Sequence, residues 1–425
     1  MSDVPTPDSA LNGADIIVVG AGIVGVASAL ALSRQGAKVI VIDKGEPGSG
    51  ASFGNAGHLA TEQVFPIADA SILKRLPGML LDPMGPLRLD WRYLPKAIPW
   101  FVRLLLNLRP SHYKHSVAGI RALNEASLDA WRRLLSSIQA EHLLHKDGSL
   151  LVFERSESRE SIESVKSRME QQGVPVEFWD AEKVQSVAPG LNPTIKGGLF
   201  FPETGHFIDP MKVVNALVEA AKENGVRFVK ANVEAGYAHE AGVSLWTDKG
   251  NLTASKVLVS CGAHSAHLTR SLTGLQVPLD TERGYHLMLP KEHERLPFAV
   301  TSLERRFIMT PMSGGLRLAG TVEFAGLKRA PNMARAWQLH RLTKGLFKTD
   351  LTTEGATEWM GFRPSLPDSL PVIDHACDGK VLLAFGHQHL GLTQAAVTAE
   401  MVAGISAQQK MASLPKLEYY RLDRF

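Results

Sequence analysis

One arginine and the loop that follows it carry the clearest chemistry in this chain. Arg363 stands in EWMGFRPSLPDSLPVIDHA and is the only cation between Glu358 and Asp374. A lone cation among apolar and proline residues calls for an anion. Two arrangements supply one: an ion pair with Asp368 or Asp374, or a carboxylate from outside the chain, which a planar guanidinium grips with two parallel hydrogen bonds. The next stretch, VLLAFGHQHLGLTQAAVTAEMVAGI, reads as a strand (Val381–Phe385), a glycine-flanked loop and a small-residue helix starting near Leu392. A helix N-terminus favours negative charge. Together they point to a carboxylate substrate beside an anionic cofactor.

The cofactor has its own signature. Residues 15–43 read DIIVVGAGIVGVASALALSRQGAKVIVID. This is a buried strand, a glycine turn, a small-residue helix and a second strand ending in Asp43. Gly20 permits the tight turn, Gly22 lets backbone approach a pyrophosphate, and Gly25 lets helix and strand pack closely. Asp43 is placed to accept hydrogen bonds from ribose hydroxyls. A mere packing turn leaves Asp43 unexplained. GxGxxG alone also suits a nicotinamide cofactor. The glycine-rich loop GASFGNAGHLAT (Gly50–Thr61) follows the second strand and is placed to lie over the cofactor.

Other candidates have two readings each. Tyr285, in ERGYHLML, would bind a carboxylate or cap the pocket, or would pack as a strand tyrosine. His58, His286, His387 and His389 are candidates for lining the substrate side, and any single one is better explained as a satisfied structural histidine than as a base. No metal site is expected. HExxH spacing is absent, His387/His389 and His112/His115 have no third ligand in sequence, and Cys261 and Cys377 form no CxxC pair.

The elements that must position these residues follow from pattern and bulk. The 425 residues allow two domains with full cores, and 44% hydrophobic with 21% charged residues is ordinary for a globular protein. A net charge of +3 and no Lys/Arg run with interleaved aromatics argue against nucleic acid. The N-terminal MSDVPTPDSALNGAD has no basic n-region, so no signal peptide and a cytoplasmic location are expected. Helices are expected over 115–142, 157–172 and 333–347, an amphipathic helix over DPMKVVNALVEAAKENG, a hairpin then a buried strand across VSLWTDKGNLTASKVLVS, and a β-rich stretch over 276–354. WRYLPKAIPWFVRLLLNLR (91–109) mixes Trp, Leu and basic residues. It suits an interfacial membrane helix, or a packed helix broken by Pro95 and Pro99.

GAGIVG with Asp43, SFGNAG, ERGYHL, LRLAGTVEFAG, GFRPSLPDSLPVI and GHQHLGLT occur here in one order. In this the chain resembles the FAD-dependent D-amino-acid oxidase-like family, which includes glycine and sarcosine oxidases. It is most similar to the bacterial D-amino-acid dehydrogenase branch. The resemblance implies FAD, held without a covalent link, with Cys377 the one thiol to check. It puts Gly20, Gly22, Ile23, Val24, Gly25, Asp43 and Lys44 around the ADP half. Ser52, Asn55, Ala56 and Gly57 match the motif beside the flavin, and Val233 the position whose backbone meets the adenine. Cys261 and Gly262, with Gly386, His387, Leu390, Gly391, Leu392 and Thr393, would complete the pocket. The family's carboxylate-binding arginine falls on Arg363 and its active-site tyrosine on Tyr285, with His58, His387 and His389 on the substrate side.

The implied fold is α/β: a doubly wound, Rossmann-like FAD domain (14–90, 205–275, 357–425) with an inserted, mostly antiparallel β domain carrying helices (91–204, 276–356). The implied reaction is hydride transfer from Cα of a D-amino acid to flavin N5, with cyclic D-proline and D-hydroxyproline among the substrates. Electrons would pass to a non-oxygen acceptor such as a quinone, with peripheral inner-membrane contact through 91–109. The alternatives are a sarcosine- or glycine-type amine oxidase using O2, and the flavin subunit of a heteromeric dehydrogenase.

Overall fold

Ile16–Val19 and Val39–Ile42 are continuous apolar runs, the pattern of strands covered on both faces. In the computed structural model, which describes residues 13–67, 84–409 and 412–425, they are central strands of an eight-stranded sheet. Its order is Arg227–Lys230, Val39–Asp43, Ala14–Val19, Gly250–Val259, Gly242–Thr247, Val233–His239. The first four are parallel. Val381–Phe385 joins alongside Val257–Val259 in the same direction, and Val372–Ala376 returns antiparallel to it. The glycine-turn helix Ile23–Arg34 packs between helices Gly391–Ser406 and Pro210–Glu223. Two apolar clusters, one around Val18, Leu30 and Val397 and one around Ile17, Val259 and Leu383, contain the alternate side chains of the central strands.

The second sheet has nine strands. Thr357–Ser365, Asp280–Leu289, Gly315–Phe324, Phe307–Met312, Ala299–Ser302, Ser149–Phe153, Gly197–Phe201 and Glu177–Asp180 follow in order, and Leu87–Leu89 pairs with Gly315–Phe324. Most pairings are antiparallel. A three-stranded ribbon, His58–Leu59, Gly205–Phe207 and Leu144–His145, lies apart from both sheets. The expected architecture, a doubly wound nucleotide-type sheet with a mostly antiparallel companion, is present.

Several elements differ from expectation in extent. The second arm of the hairpin and the buried strand are one unbroken strand, Gly250–Val259: its first half pairs antiparallel with the first arm, Gly242–Thr247, its second half parallel with Ala14–Val19. The 115–142 helix runs Pro110–Ser136, because Pro110 supplies a ready first turn. The 333–347 helix stops at Arg341 and continues as turns. The 157–172 helix is Arg159–Gln171, preceded by the tight turn Ser156–Ser158. Pro95 and Pro99 do not break helix Leu94–Asn107: Pro95 sits in the first turn, where its missing N–H costs nothing, and Pro99 removes one bond. Strand Thr357–Ser365, placed by the sequence at the start of the last FAD segment, hydrogen-bonds along Asp280–Leu289 in the nine-stranded sheet. The proline-rich turn after Ser365 then carries the chain to the other sheet at Val372. Residues 1–12, the stretch on which the signal-peptide expectation rests, lie outside the described residues.

Candidate functional site

At the C-terminal ends of the parallel strands the chain encloses a cavity of about 1490 Å3. That exceeds the roughly 300–1,000 Å3 of a pocket for one drug-sized ligand. It extends from the glycine turn to the nine-stranded sheet.

At the first end, Gly20 takes φ +109° and passes against the Ser260 carbonyl, where a side chain would collide. Gly25 packs against Gly20 itself. Gly22 caps helix Ile23–Arg34 with no side-chain hydrogen bond, and no acidic residue occupies the first turn. The helix therefore presents its positive end to the cavity, as an anion site requires. Asp43 closes its strand with Oδ2 accepting from Ala21 N–H and Oδ1 from Gly45 N–H, both at 2.8 Å. Each oxygen keeps a lone pair for a ribose hydroxyl. Ser52 Oγ accepts from Ile23 N–H at 3.0 Å, tying the 50–57 loop to the glycine turn. Val233 and Gly262 line the same end, as does Cys261, whose thiol is pushed up to about 12 by burial and by Asp43. This cradle of helix terminus, bare glycines and terminal carboxylate fits the ADP half of FAD.

Among the expected cofactor residues, Ile23, Val24, Lys44, Asn55, Ala56, Gly386, His387, Gly391 and Leu392 also line the cavity. Gly25, Gly57, Leu390 and Thr393 stand behind its wall. Gly57, at φ +76°, donates to Asn55 Oδ1, Leu390 belongs to the core, and Thr393 Oγ1 accepts from Ala60 N–H. Cys377 packs against Leu272, away from the cavity-lining residues. Arg317 and His286 secure the loop from the other side: Arg317 donates to Asn55 O at 2.6 Å, and His286 Nδ1 to Gly54 O at 3.0 Å. The His286 ring stacks on Trp359 at 5.0 Å, and burial with the nearby Arg317 lowers its pKa to about 3.

At the other end stands Arg363. Neither expected ion-pair partner reaches it. Asp368 is bound by Arg424 Nε at 2.6 Å, and Asp374 accepts from Leu422 N–H at 2.7 Å. Among the described residues the guanidinium makes one hydrogen bond, from Nη1 to the Thr321 carbonyl at 3.1 Å. It lies against Gly284, where a Cβ would stand 2.5 Å from Cζ. Burial lowers its pKa, and the charge of Glu282, its cross-strand neighbour, partly restores it. Glu282 itself accepts from Ser365 Oγ at 2.5 Å, and burial raises its carboxyl. Four of the five guanidinium donors are thus left for an anion.

The Thr321 carbonyl owes its direction to an unusual backbone. Thr321 has φ +59°, rare for a β-branched residue, where the pairing of the 280–289 and 315–324 strands slips. Sequence reasoning singled out GTVEF without seeing this, since nothing in residue type announces a strained threonine. It also missed Gly284, whose absent side chain makes room for Arg363.

The histidines fall into two kinds. His58 lines the cavity with both ring nitrogens engaged, Nδ1 with Gly205 O at 3.1 Å and Nε2 with Glu62 Oε1 at 3.0 Å. A carbonyl only accepts, so Nδ1 carries a proton, and a second proton lies between Nε2 and Glu62. Burial works against the charged ring, but Glu62 and Gly205 prevail and its pKa is raised. His387 and His389 are held neutral, their pKa lowered to about 3 by burial, with help from Arg363 and His58 for His389. His387 Nε2 meets Thr398 Oγ1 at 3.0 Å, and His389 Nε2 meets Gln63 Oε1 at 2.5 Å.

Tyr285 forms part of the wall, but its hydroxyl donates to Glu323 Oε2 at 2.6 Å and accepts from Asn332 N–H at 3.2 Å. Burial and Glu323 push the phenol up to about 12. Helix Leu94–Asn107 closes the remaining side. Leu94, Ile98, Phe101 and Leu104 line the cavity, and Trp100 Nε1 fastens the helix to Ser365 O at 3.2 Å.

Comparison with known proteins agrees with this geometry. The profile of a family described as FAD dependent oxidoreductase matches residues 15–405. A D-amino-acid oxidase of Bradyrhizobium diazoefficiens is 34% identical over 400 residues, covering 92% of this chain and 94% of that protein. A D-amino acid dehydrogenase of Vibrio cholerae is 29% identical over 404 residues, covering 92% and 94%. Among solved structures, glycine oxidase from Geobacillus kaustophilus superposes with a TM-score of 0.74 at 20% identity, covering 97% of this chain and 99% of that one.

Proposed function

The chain belongs to the FAD-dependent oxidoreductase family, and on that premise we propose that it oxidises D-amino acids at Cα and passes the electrons to a lipid-soluble acceptor. The broader statement needs no proposal: it is an FAD-dependent oxidoreductase acting on the CH–NH group of an amine or amino acid. The observation that carries the narrower reading is the half-buried Arg363, with four donors unspent among the described residues beside a dinucleotide cradle.

Bound FAD supplies the hydride acceptor. The chain's part is orientation, which dominates such a reaction because no strong acid or base is needed. Arg363 fixes the carboxylate, a charge-assisted contact worth about 1.5–3 kcal/mol. The fixed carboxylate leaves Cα and the nitrogen two defined positions. The Cα–H electron pair departs as hydride while the neutral nitrogen's lone pair forms C=N. Neutral His387 and His389 give a charged ammonium no counter-ion, which favours the neutral amine. The N-terminus of helix Gly391–Ser406, uncapped by any side chain, favours negative charge by roughly 0.3–2 kcal/mol. Tyr285 would serve as wall, its hydroxyl being spent on Glu323. In this proposal the segments 14–90, 205–275 and the chain after Ser365 hold the cofactor, and the rest holds the substrate.

The acceptor side rests on helix Leu94–Asn107. Ile98, Val102, Leu105 and Leu106 are exposed on it, with Trp91 just before. Between Trp91 and Asn124 the chain carries Arg92, Lys96, Arg103, Arg109, Lys114 and Arg121 and no acidic residue. An apolar stripe in a basic setting suits an anionic lipid surface. No helix among the described residues is long and apolar enough to cross a membrane.

The test is anaerobic mixing of the yellow protein with a panel of D-amino acids that includes D-proline, D-hydroxyproline and D-alanine, with the L-forms as controls. Bleaching of the flavin band by D-forms is expected. If none of them bleaches it, the reading fails. Re-oxidation by a quinone faster than by dissolved oxygen is expected, and hydrogen peroxide in stoichiometric yield would point instead to an oxidase.

A further inference from the structure

His389 and Gln63 have no part in the mechanism above beyond forming wall, yet their contact has a direction. Gln63 turns its side-chain oxygen, which only accepts, toward His389 Nε2 at 2.5 Å, an arrangement that puts the ring proton on Nε2. A neutral imidazole protonated on Nε2 has a bare lone pair on Nδ1. Among the described residues no group bonds that Nδ1, and His389 lines the cavity with Arg363 near enough to influence its charge. The backbone that carries Gln63 is held in turn: Asn124 Nδ2 donates to the main-chain carbonyls of Gln63 and Ala60, both at 3.1 Å, and Gln394 Nε2 donates to Asn124 Oδ1 at 2.9 Å. Burial of the ring and the neighbouring positive charge both oppose a second proton, so the acceptor face persists.

We propose that His389, fixed by Gln63 with its proton on Nε2, offers Nδ1 as the acceptor for an N–H of the substrate amine, and that Gln63 is a positioning residue for that recognition. This deepens the amino-acid reading and rests on it. Arg363 takes the end of the substrate that only accepts hydrogen bonds, and His389 takes the end that donates. In the reactive neutral state a primary amine has two N–H bonds and a secondary amine one. Either can donate to Nδ1 and keep the nitrogen lone pair free to form C=N. A neutral tertiary amine has no N–H to give. The site therefore selects primary and secondary amino acids, open-chain or cyclic, and discriminates against N,N-dialkyl ones in turnover more than in binding.

Two measurements test this. The first is independent of activity: holoenzyme labelled with 15N-histidine, with the His389 resonance assigned by its loss in His389→Gln. The expected spectrum shows the Nε2–H tautomer in the wild type and its loss in Gln63→Met with FAD still bound. A wild-type Nδ1–H tautomer or an imidazolium at neutral pH overturns the proposal. The second uses unaltered enzyme and the best D-amino acid of the panel with none, one or two N-methyl groups. One methyl should lower kcat less than about 10-fold, and the second by a further 100-fold or so, with KM changing less. Gln63→Met should lower kcat on the unmethylated substrate by about 10–100-fold. A full loss at the first methyl with none at the second means steric exclusion and overturns the hydrogen-bond role. If the tautomer is as stated but no member of the series bleaches the flavin, the amine role falls together with the amino-acid reading, while the hold of Gln63 on His389 stands.

Discussion

The Arg363 guanidinium rests on the backbone of Gly284, in the space a side chain would fill. A Cβ at 284 would stand 2.5 Å from Cζ and 2.7 Å from Nε. Gly284 pairs with Gly361 across the two strands, and the two bare positions are covered by different side chains, Gly284 by Arg363 and Gly361 by the Trp359 indole.

Gly284→Ala is therefore expected to push Arg363 out of place while leaving FAD bound. KM for the amino acid should rise about 10–100-fold, approaching the effect of Arg363→Ala. Steady-state kinetics and the visible flavin spectrum check both halves. An unchanged KM would mean that the guanidinium has room to shift and still serve.

Thr321→Gly is expected to be nearly neutral in stability. Relief of the φ +59° conformation returns roughly 1–2 kcal/mol, while the lost methyl (about 0.8) and the added flexibility of glycine (about 0.5–1) take a similar amount away. Thermal unfolding of the holoprotein measures the balance. A loss of more than about 2 kcal/mol would show that the threonine is not strained.

The His58–Glu62 pair predicts a stability slope on the alkaline side. The native His58 pKa is raised, so its contribution is complete below the ordinary value of 6.5 and is lost as pH rises through the higher native value. The buried titratable neighbours His206 and His389 are held neutral with pKa values of about 4 and 3, so they do not contribute in that window. Glu62→Gln should flatten the slope and cost about 1.5–3 kcal/mol near pH 6. Denaturant titrations from pH 5.5 to 8.5 would decide it, and an equal slope in both proteins would exclude the pair.

Replacing Leu106 by glutamate should lower co-sedimentation with anionic phospholipid vesicles severalfold, with dye-linked activity kept within a factor of about three. Binding to such vesicles that the variant retains in full would remove the lipid surface from the proposal.

The legible part of this molecule was its short-range grammar. GxGxxG and Asp43 mark the cradle because the turn, the helix and the second strand lie within thirty residues of one another, although Gly20 also answers to the distant Ser260 carbonyl. Arg363 was visible as a cation without a partner, and the two aspartates offered by sequence proximity are in fact taken by Arg424 and by Leu422 N–H from the C-terminus. What stayed hidden depends on contacts between distant segments. The Gly284 void exists only when two strands align, Gln63 meets His389 across more than three hundred residues, and the Thr321 backbone follows from a slip in register. The sheet that takes Thr357–Ser365 stayed hidden for a related reason: a strand's sheet is decided by its partner, and this one finds its partner in Asp280–Leu289.

The strand Ala14–Val19 is flanked by Val39–Asp43 on one side and by residues of Gly250–Val259 on the other. During synthesis the first neighbour arrives at once and the second only some two hundred residues later, after the first four strands of the nine-stranded sheet have left the ribosome. Until then an apolar strand edge faces the cell unpaired, a state prone to mispairing. The nascent chain has no complete nucleotide cradle in that interval, since Ser260 and Cys261 are also still to come. FAD can therefore assist only the final closure of this fold, and cells short of the cofactor should accumulate an N-terminal half that depends on chaperones.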